Sequence, residues 1–223
     1  MTTADIENWA NRAGLATADF DIGRELRFNV IPKFLLDVGE CAWTRKYGAL
    51  TFAAGEREKD LPNDFFRMLD VYIGSPGPVG VSERGKLQYI GDNPIRVAIA
   101  EGNTSPGVPT GYYIAQRAGT GGAPGSWKAF KLDVPTVSGC TVLYGYLIQV
   151  PFEDTVTSVD LNPYIPEPLQ GAVVTRLRAE IFLDRFGLAD PRYETEMRKY
   201  ADWLGSARMY GELGRANYAV FMT

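Results

Sequence analysis

The chain has 223 residues, of which 45% are hydrophobic, 12% aromatic and 22% charged, and its formal net charge is −4. This composition suits one or two globular domains, excludes a disordered chain, and argues against tight nucleic-acid binding. The chain contains no histidine, which removes the commonest general base, the usual nucleophile pairs and most zinc sites. We therefore expect a protein that is not an enzyme and has no cofactor or metal. No stretch is long and apolar enough to span a bilayer, so no membrane partner is expected.

Residues 1–46 are predicted to form two helices, the first of which ends at Gly14. The second helix begins at Asp19 or Asp21, because either side chain can cap its free amides. Pro32 lies inside this helix and predicts a kink there or a division into two shorter helices. The apolar residues of the second helix recur every four positions and form one face: Ile22, Leu26, Val30, Phe34 and Val38.

Residues 47–159 are predicted to be a β-rich insertion. Glycine and proline separate short alternating runs, which indicates several antiparallel strands. The runs are "YGALTFAA", "FRMLDVYI", "KLQYIG", "IRVAIAEG", "GYYIAQR", "WKAFKLDV" and "TVLYGYLIQV". The glycine-rich residues 119–126 lack the lysine of a phosphate loop and are interpreted as a hairpin loop. Cys41 and Cys140 are too few for a disulfide framework and are expected to be free, buried thiols.

Residues 160–213 are predicted to form a helical hairpin. Gly187 ends its first helix, Asp190 caps its second helix, and Pro191 takes the first position of that second helix. The two-residue connection between these caps makes the helices antiparallel. The first helix has apolar residues at four-residue spacing: Leu169, Val173, Leu177 and Ile181. The second carries a seam for a neighbouring helix: Tyr193, Met197, Tyr200, Leu204 and Ala207.

Residues 214–223 are expected to form a docking tail. Gly211 and Gly214 fall where the helical seam ends, so the helix is predicted to stop there. No charge follows Arg215, and the apolar residues beyond it are Tyr218, Val220, Phe221 and Met222. A terminal segment normally stays soluble by being polar, so this one should be buried. It either folds back onto its own β unit or becomes ordered on assembly, as an extended segment added to a partner.

The chain thus has helical ends and a β-rich middle, which predicts an α+β fold. The simplest assembly joins residues 1–46 and 160–213 in one helical bundle. Residues 47–159 then emerge from it as an inserted antiparallel unit that resembles a sandwich or barrel.

The order of these elements resembles the head-to-tail adaptor (connector) proteins of tailed bacteriophages, and among them the tail-tubular type. After the second helix, "ECAWTRKYGALTFAAGEREKDLPNDFFRMLDVYI" is similar to the family's helix ending in tryptophan, short strand and Leu-Pro-x-Asp-Phe strand start. The matching residues are Trp43, Arg45, Leu61, Pro62, Asp64 and Phe65. Later, "TVLYGYLIQVPFEDTVTSVDLNPYIPEPLQGAVVTRLRAEIF" is similar to the family's strand, acidic turn and closing helices. The stretch from about residue 74 to residue 149 carries no motif of the family.

The resemblance implies a structural virion protein at the head-tail junction (the neck), assembled in the host cytoplasm. About twelve copies would form a ring beneath the portal protein, extend the DNA channel and receive tail or nozzle proteins. DNA would pass through the lumen without sequence-specific binding, because a ring of about twelve copies carries about −48 formal charges and repels it. The resemblance also favours docking of the C-terminal tail on the portal or a neighbouring copy, since adaptor C-termini commonly attach there. The motif around Leu61 is expected to support the scaffold.

Two other functions stay open as alternatives. A tail-associated cell-wall hydrolase would need two carboxylates, and Glu153 and Asp154 are the least unsuitable pair. Adjacent residues of an extended chain point to opposite faces, however, so a solvated turn fits this pair better. A β module that binds host glycans would use exposed aromatic side chains, although aromatic residues at strand spacing more often form a core or an interface. The candidates are Tyr112, Tyr113, Trp127, Tyr144 and Tyr146.

Overall fold

The computed structural model describes residues 1–15, 20–74, 85–116, 128–151 and 158–220, without the side chains of residues 211–220. The fold is α+β with two β-sheets, as the sequence predicts. The chain divides into two compact units, and we call residues 1–45 with 148–223 the helical unit and residues 46–147 the β unit. The second boundary lies earlier in the chain than the sequence placed it, and Val150 is already part of the helical core.

Helix α1 (Thr3–Arg12) opens the helical unit. The Thr2 hydroxyl accepts a hydrogen bond from the Asp5 amide, and the Asp5 carboxylate accepts one from the Thr2 amide. This reciprocal pair satisfies two amides at the start of the helix. The helix is over before Gly14, as predicted. Asp19, one of the two expected caps of the next helix, lies outside the described residues.

The second predicted helix consists of two α-helical segments joined by a π turn, and its backbone stays helical from Ile22 to Val38. Helix α2 (Ile22–Glu25) begins after Asp21, whose carboxylate accepts a backbone amide of the first turn. A π turn over Leu26–Val30 leads into helix α3 (Ile31–Val38), with Pro32 in its first turn. Proline has no amide and clashes with the carbonyl four residues earlier, and the wider π turn accommodates both effects. The predicted apolar face is confirmed, because its five residues are all buried: Ile22, Leu26, Val30, Phe34 and Val38.

The C-terminal hairpin is confirmed. A 3₁₀ turn over Glu167–Leu169 leads into helix α5 (Gln170–Phe186), which ends at Gly187 with a φ of +79° that favours glycine. Helix α6 (Pro191–Val220) starts after Asp190, as predicted. The residues predicted to form the inner face of α5 are all buried: Leu169, Val173, Leu177 and Ile181. On α6, Tyr200 and Ala207 are buried, and Met197 and Leu204 pack half-buried against the same core.

The predicted stop of α6 at Gly211 or Gly214 is wrong, because the helix continues through Val220. A glycine inside a helix costs about 1 kcal/mol relative to alanine. The surrounding residues include Glu212, Leu213, Arg215 and Ala216. These residue types are all good helix formers, so two glycines do not end the helix.

The β unit contains two four-stranded sheets. The strands are β1 (Arg45–Phe52), β2 (Glu58–Asp60), β3 (Phe65–Gly74), β4 (Gly85–Lys86), β5 (Gln88–Tyr89), β6 (Gly111–Gln116), β7 (Lys128–Leu132) and β8 (Cys140–Ile148). One sheet has the order β1-β8-β3-β4 and the other the order β2-β7-β6-β5. The expectation of a purely antiparallel unit is corrected, because β5 runs parallel to β6. A helical crossover joins these two strands, which is the connection that parallel neighbours need.

That crossover helix corrects a second prediction. The run "IRVAIAEG" was expected to be a strand, and it lies in helix α4 (Pro94–Gly102). Asn93 caps the helix, since its side-chain oxygen accepts the amides of Ile95 and Arg96, both at 3.1 Å. Pro94 occupies the first helical position, where proline is favoured. Ile95 and Ile99 are exposed, so their alternation in the sequence does not mark a strand face.

Aromatic rings fill the interior of the β unit. Phe52 of one sheet meets Phe130 of the other at a ring-centroid distance of 6.1 Å, and Phe130 stacks on Tyr112 at 5.1 Å. The two sheets therefore contact each other through these rings. Cys140 is buried in this unit and Cys41 in the helical unit, and both thiols are free as expected. Over the described part of the chain, no helix is long and apolar enough to cross a bilayer.

Candidate interaction surfaces

Trp43, a residue of the adaptor-like motif, lies inside the helical unit. The resemblance to the adaptors predicts Trp43 at the end of a helix. In the structure, α3 ends at Val38 and Trp43 follows in a turn. Its ring stacks on Phe34 with centroids 6.2 Å apart, and its Nε1 donates to the carbonyl oxygen of Ala207 at 3.3 Å. Trp43 therefore joins the end of α3 to α6. Arg45, another motif residue, forms an ion pair with Glu40.

The Leu61-to-Phe65 motif is an internal support of the β unit. Leu61 and Phe65 are only 2% and 3% exposed. The Leu61 amide donates to the carbonyl oxygen of Lys128 at 3.1 Å, and the Phe65 amide donates to that of Pro62 at 3.0 Å. The motif thus closes a tight turn and fills the space at the start of β3.

The side chain of Asp64 stabilises this turn. Its carboxylate accepts hydrogen bonds from the Lys46 ammonium at 2.6 Å and from the Tyr146 hydroxyl at 3.0 Å. The Phe65 ring lies beside the Tyr146 ring at 5.8 Å. Asp64 therefore connects three strands of one sheet, since these partners belong to β1 and β8. Leu61, Asp64 and Phe65 thus hold the start of β3 through contacts within the β unit.

Two of the four residues predicted to dock on a partner, Tyr218 and Val220, lie at the far end of α6. The backbone places Tyr218 and Val220 in a helix and not in an extended segment, while Phe221 and Met222 lie outside the described residues. The 30 residues of α6 span about 45 Å, compared with about 25 Å for the 17 residues of α5. Helix α6 is therefore longer than α5, its antiparallel partner.

The last described side chains of α6 include both core contacts and exposed apolar groups. Ala207 is buried in that core, and Arg208 donates to the carbonyl oxygen of Asp37 at 2.8 Å. Immediately afterwards, Met209 is 62% exposed and Tyr210 is 45% exposed. These two large apolar side chains thus face solvent, and their surface is a candidate for contact with a partner.

The aromatic side chains considered for glycan binding do not form an exposed platform. Tyr112, Tyr113, Tyr144 and Tyr146 are each no more than 5% exposed, and Trp127 lies outside the described residues. Burial raises the pKa of Tyr112 to about 12. Burial and a hydrogen bond to Glu101 raise the pKa of Tyr113 to about 12. These phenols are therefore neutral parts of the β core.

A polar network around Tyr113 attaches α4 to its sheet. The Tyr113 hydroxyl donates to Glu101 at 2.6 Å and accepts from Arg57 at 2.7 Å, and Lys131 donates to Glu101 at 3.2 Å. The hydrogen bond from Tyr113 is the main cause that lowers the pKa of Glu101. Sequence reasoning missed this network because it assigned Glu101 to a strand. All its members satisfy one another, which fits a structural role better than a catalytic one.

The helical unit contains a buried ion pair. Arg176 and Glu180, one turn apart on α5, have side chains only 5% and 10% exposed. The Arg176 guanidinium lies 5.3 Å from the centre of the Tyr200 ring, and the Tyr200 hydroxyl donates to Asp37 at 2.9 Å. Burial, followed by that hydrogen bond, raises the pKa of Tyr200 far above its ordinary value. Sequence reasoning also missed this cluster, although its spacing of four residues on one helix is a visible signal.

Glu153 and Asp154, the carboxylates considered for a hydrolase, lie outside the described residues. Within the ranges that the structure describes, no group of three or more Cys, Asp or Glu side chains could hold a metal ion. Comparison of the sequence with protein-family models and with curated proteins finds no match to either.

Proposed function

We propose that this protein is a structural subunit of a head-to-tail adaptor ring, which docks beneath the portal of a tailed phage, extends the DNA channel and receives the tail. The observation that carries the proposal is the division of the chain. Both ends contribute to one helical unit, and the middle forms a β unit inserted between them. This is the order of elements in the adaptors that the sequence resembles.

The contacts of the motif residues support the same proposal. Trp43 joins two helices of the helical unit, and Asp64 joins three strands of one sheet. Each residue braces its own unit, as expected if the shared motif preserves a scaffold. The net charge of −4 per copy also suits a channel along which DNA slides without adhering.

The end of α6 is the surface proposed to contact the portal. Met209 and Tyr210 are exposed on the last described turn of side chains, and the sequence beyond Arg215 carries no charge. The sequence predicted that an extended segment docks on the partner. Because the segment is helical, we propose instead that the apolar end of the helix enters a groove of the partner. Burial of such side chains on assembly would supply about 25 cal/mol for each Å² of apolar surface removed from water.

Assembly with and without portal tests the proposal. We expect the isolated protein to be monomeric or polydisperse, because its charges are balanced and it has no long coiled-coil seam. Mixed with portal-bearing heads, it should form a closed ring visible by electron microscopy. A stable closed ring at low micromolar concentration without portal, seen by native mass spectrometry, would contradict the dependence on portal. Failure to bind portal-bearing heads would contradict the function itself.

Deletion of residues 215–223 tests the docking surface separately. The last α6 residue in the described core is Ala207, so the truncated protein should keep its melting temperature and lose attachment to portal-bearing heads. A double serine variant of Ile95 and Ile99 is the matched control, because it removes exposed apolar groups from a different helix. Normal attachment of the truncated protein would end the docking role, and a large drop in melting temperature would show that the segment packs on its own subunit.

A further inference from the structure

The helical backbone from Ile22 to Val38 carries a second row of residues on its outer side. Its inner side holds the five buried apolar residues, which recur every four positions. A step of four residues turns an ordinary α-helix about 40° beyond one full turn. The wider π turn at Leu26–Val30 reduces that rotation, so each row keeps to its own side. The outer row has the same four-residue step and ends just beyond α3: Arg24, Phe28, Pro32, Leu36 and Glu40.

The centre of the outer row is apolar. Phe28 is 53% exposed and Leu36 is 57% exposed, although both are large hydrophobic residues. The Arg27 guanidinium lies 5.8 Å from the centre of the Phe28 ring. Pro32, between the two, is half-buried and has a short side chain, so another helix can approach the backbone closely there. An apolar surface with charged residues around it is typical of a contact with another protein.

The two ends of the outer row carry opposite charges, which makes the row complementary to itself. Suppose that a second copy lies antiparallel to the first, with a two-fold axis at Pro32. The four-residue steps then match, and Phe28 faces Leu36 of the second copy. Arg24 faces Glu40 of the second copy, and each contact occurs twice because the interface is isologous. A parallel arrangement would instead place like charges together and be repelled.

The other charges of this segment are compatible with the antiparallel arrangement. The Glu25 carboxylate accepts a hydrogen bond from the Asn29 side chain, and the Lys33 ammonium lies 3.9 Å from the Glu180 carboxylate. Glu40 forms an ion pair with Arg45 of its own chain, and its side chain is 36% exposed. A carboxylate has acceptor sites for more than one guanidinium, so Glu40 can also accept a hydrogen bond from an arginine of a second copy.

We propose that two copies of this chain associate through their outer rows as an antiparallel, two-fold symmetric dimer. The apolar centre is smaller than a standard protein interface, so the dissociation constant should be on the order of 100 μM. At low micromolar concentration the protein is then a monomer. The inference does not depend on the proposed function, because an isologous contact closes at two copies and does not continue around a ring.

Sedimentation equilibrium of the full chain, from about 5 to 500 μM, tests the association. We expect a monomer that becomes a dimer across this range. Leu36→Ser should weaken the dimer at least about tenfold, because it removes two apolar contacts in the symmetric interface. Leu188→Ser is the matched control, since Leu188 is 73% exposed at a different place in the helical unit. The control should leave the dissociation constant unchanged.

Exchange of the charges tests the antiparallel pairing. Arg24→Glu and Glu40→Lys should each weaken the dimer at least about tenfold, because each variant faces its own copy with like charges. An equimolar mixture of the two variants should dimerise again, since every pair across the interface is then opposite in charge. Thermal melting verifies that both variants are folded. Pro32→Cys gives an independent test, because its cysteines meet at the axis and should form an intermolecular disulfide under mild oxidation. Ala98→Cys, at an exposed position of α4, is the control for random crosslinking.

Three results would overturn the proposal. A wild-type protein that stays monomeric up to about 500 μM has no such dimer. A dimer that Leu36→Ser weakens no more than Leu188→Ser uses another surface. A mixture of the Arg24→Glu and Glu40→Lys variants that stays monomeric, together with equal crosslinking of the Pro32→Cys and Ala98→Cys proteins, would exclude the antiparallel arrangement.

Discussion

In the helical unit an ion pair lies within the core, whereas each ion pair described in the β unit has at least one partly exposed side chain. Arg176 and Glu180 have side-chain exposures of 5% and 10%. In the β unit, Lys46 and Asp64 have 41% and 13%, and Lys86 and Asp70 have 65% and 46%. The helical core combines aliphatic side chains with a desolvated charge pair, while the β core relies on aromatic rings. Removal of one charged partner should therefore lower the free energy of unfolding more in the helical unit than in the β unit.

The largest effect is expected for Glu180→Ala. This change leaves the buried Arg176 guanidinium without its carboxylate, which typically lowers the free energy of unfolding by about 3–5 kcal/mol. Glu194→Ala is the matched control, because Glu194 also pairs with an arginine four residues away but is 65% exposed. The control should cost less than about 1 kcal/mol. Urea unfolding at neutral pH measures both, and equal costs would remove the distinction between buried and exposed pairs.

The next effect separates full from partial burial within the helical hairpin. Leu177 is completely buried on α5, whereas Leu204 on α6 is only partly buried at the same core. Leu177→Ala should lower the free energy of unfolding by about 2–5 kcal/mol, because it leaves a cavity. Leu204→Ala should cost clearly less, since water can reach part of its site. Unchanged thermal melting of both variants would contradict the packing of the hairpin.

A smaller effect is expected in the β unit for Asp64→Ala. The change removes the carboxylate that accepts hydrogen bonds from Lys46 and Tyr146. We expect a loss of about 1–3 kcal/mol in the free energy of unfolding. Asp70→Ala is the control, because the Asp70–Lys86 pair is exposed and should contribute less than about 1 kcal/mol. If the two variants unfold at the same urea concentration, Asp64 does not brace the sheet.

The smallest effect at neutral pH is expected for Tyr112→Phe, which keeps the buried ring and its stacking on Phe130. Burial raises the pKa of Tyr112 to about 12 from an unfolded value of 10.0. The neutral phenol therefore stabilises the fold fully below pH 10, and this contribution is lost as the pH rises from 10 toward 12. Urea unfolding at pH 7 and pH 11 should show a smaller loss of stability for Tyr112→Phe than for the wild type. Parallel losses would indicate that this phenol ionises freely in the folded protein.

The sequence allowed prediction of those parts of the fold that depend on neighbours close in the chain. The helical faces, the Gly187 stop and the Asp190 start rest on spacing within a few turns, and they are confirmed except for Tyr193, which is not part of the helical core. Helix α4 was missed because its residues alternate like a strand, although Asn93 and Pro94 form a helix start that outweighs this alternation. The length of α6 was not predicted, because Gly211 and Gly214 were interpreted as the end of the helix.

The candidate surfaces were less predictable, because they arise from contacts between distant residues. The buried positions of Tyr112 and Tyr144 follow from the packing of two sheets, which no local pattern specifies. Residues 85–89 pair first with β3 in one sheet and then with β6 in the other. That result depends on strand order and register, and loop closure over many residues decides both.

The origin of the helical unit from both ends of the chain has a consequence for protein synthesis. A ribosome releases α1, α2 and α3 long before α5 and α6 exist, because the whole β unit is translated between them. Translation proceeds at about 5–20 residues per second. The apolar face from Ile22 to Val38 is therefore without α5 and α6 for roughly 6–30 seconds. The β unit can fold during that interval, since all its strands precede the C-terminal helices. The nascent chain therefore exposes an apolar, aggregation-prone helical face during translation. A chaperone that binds this face would raise the yield of folded protein.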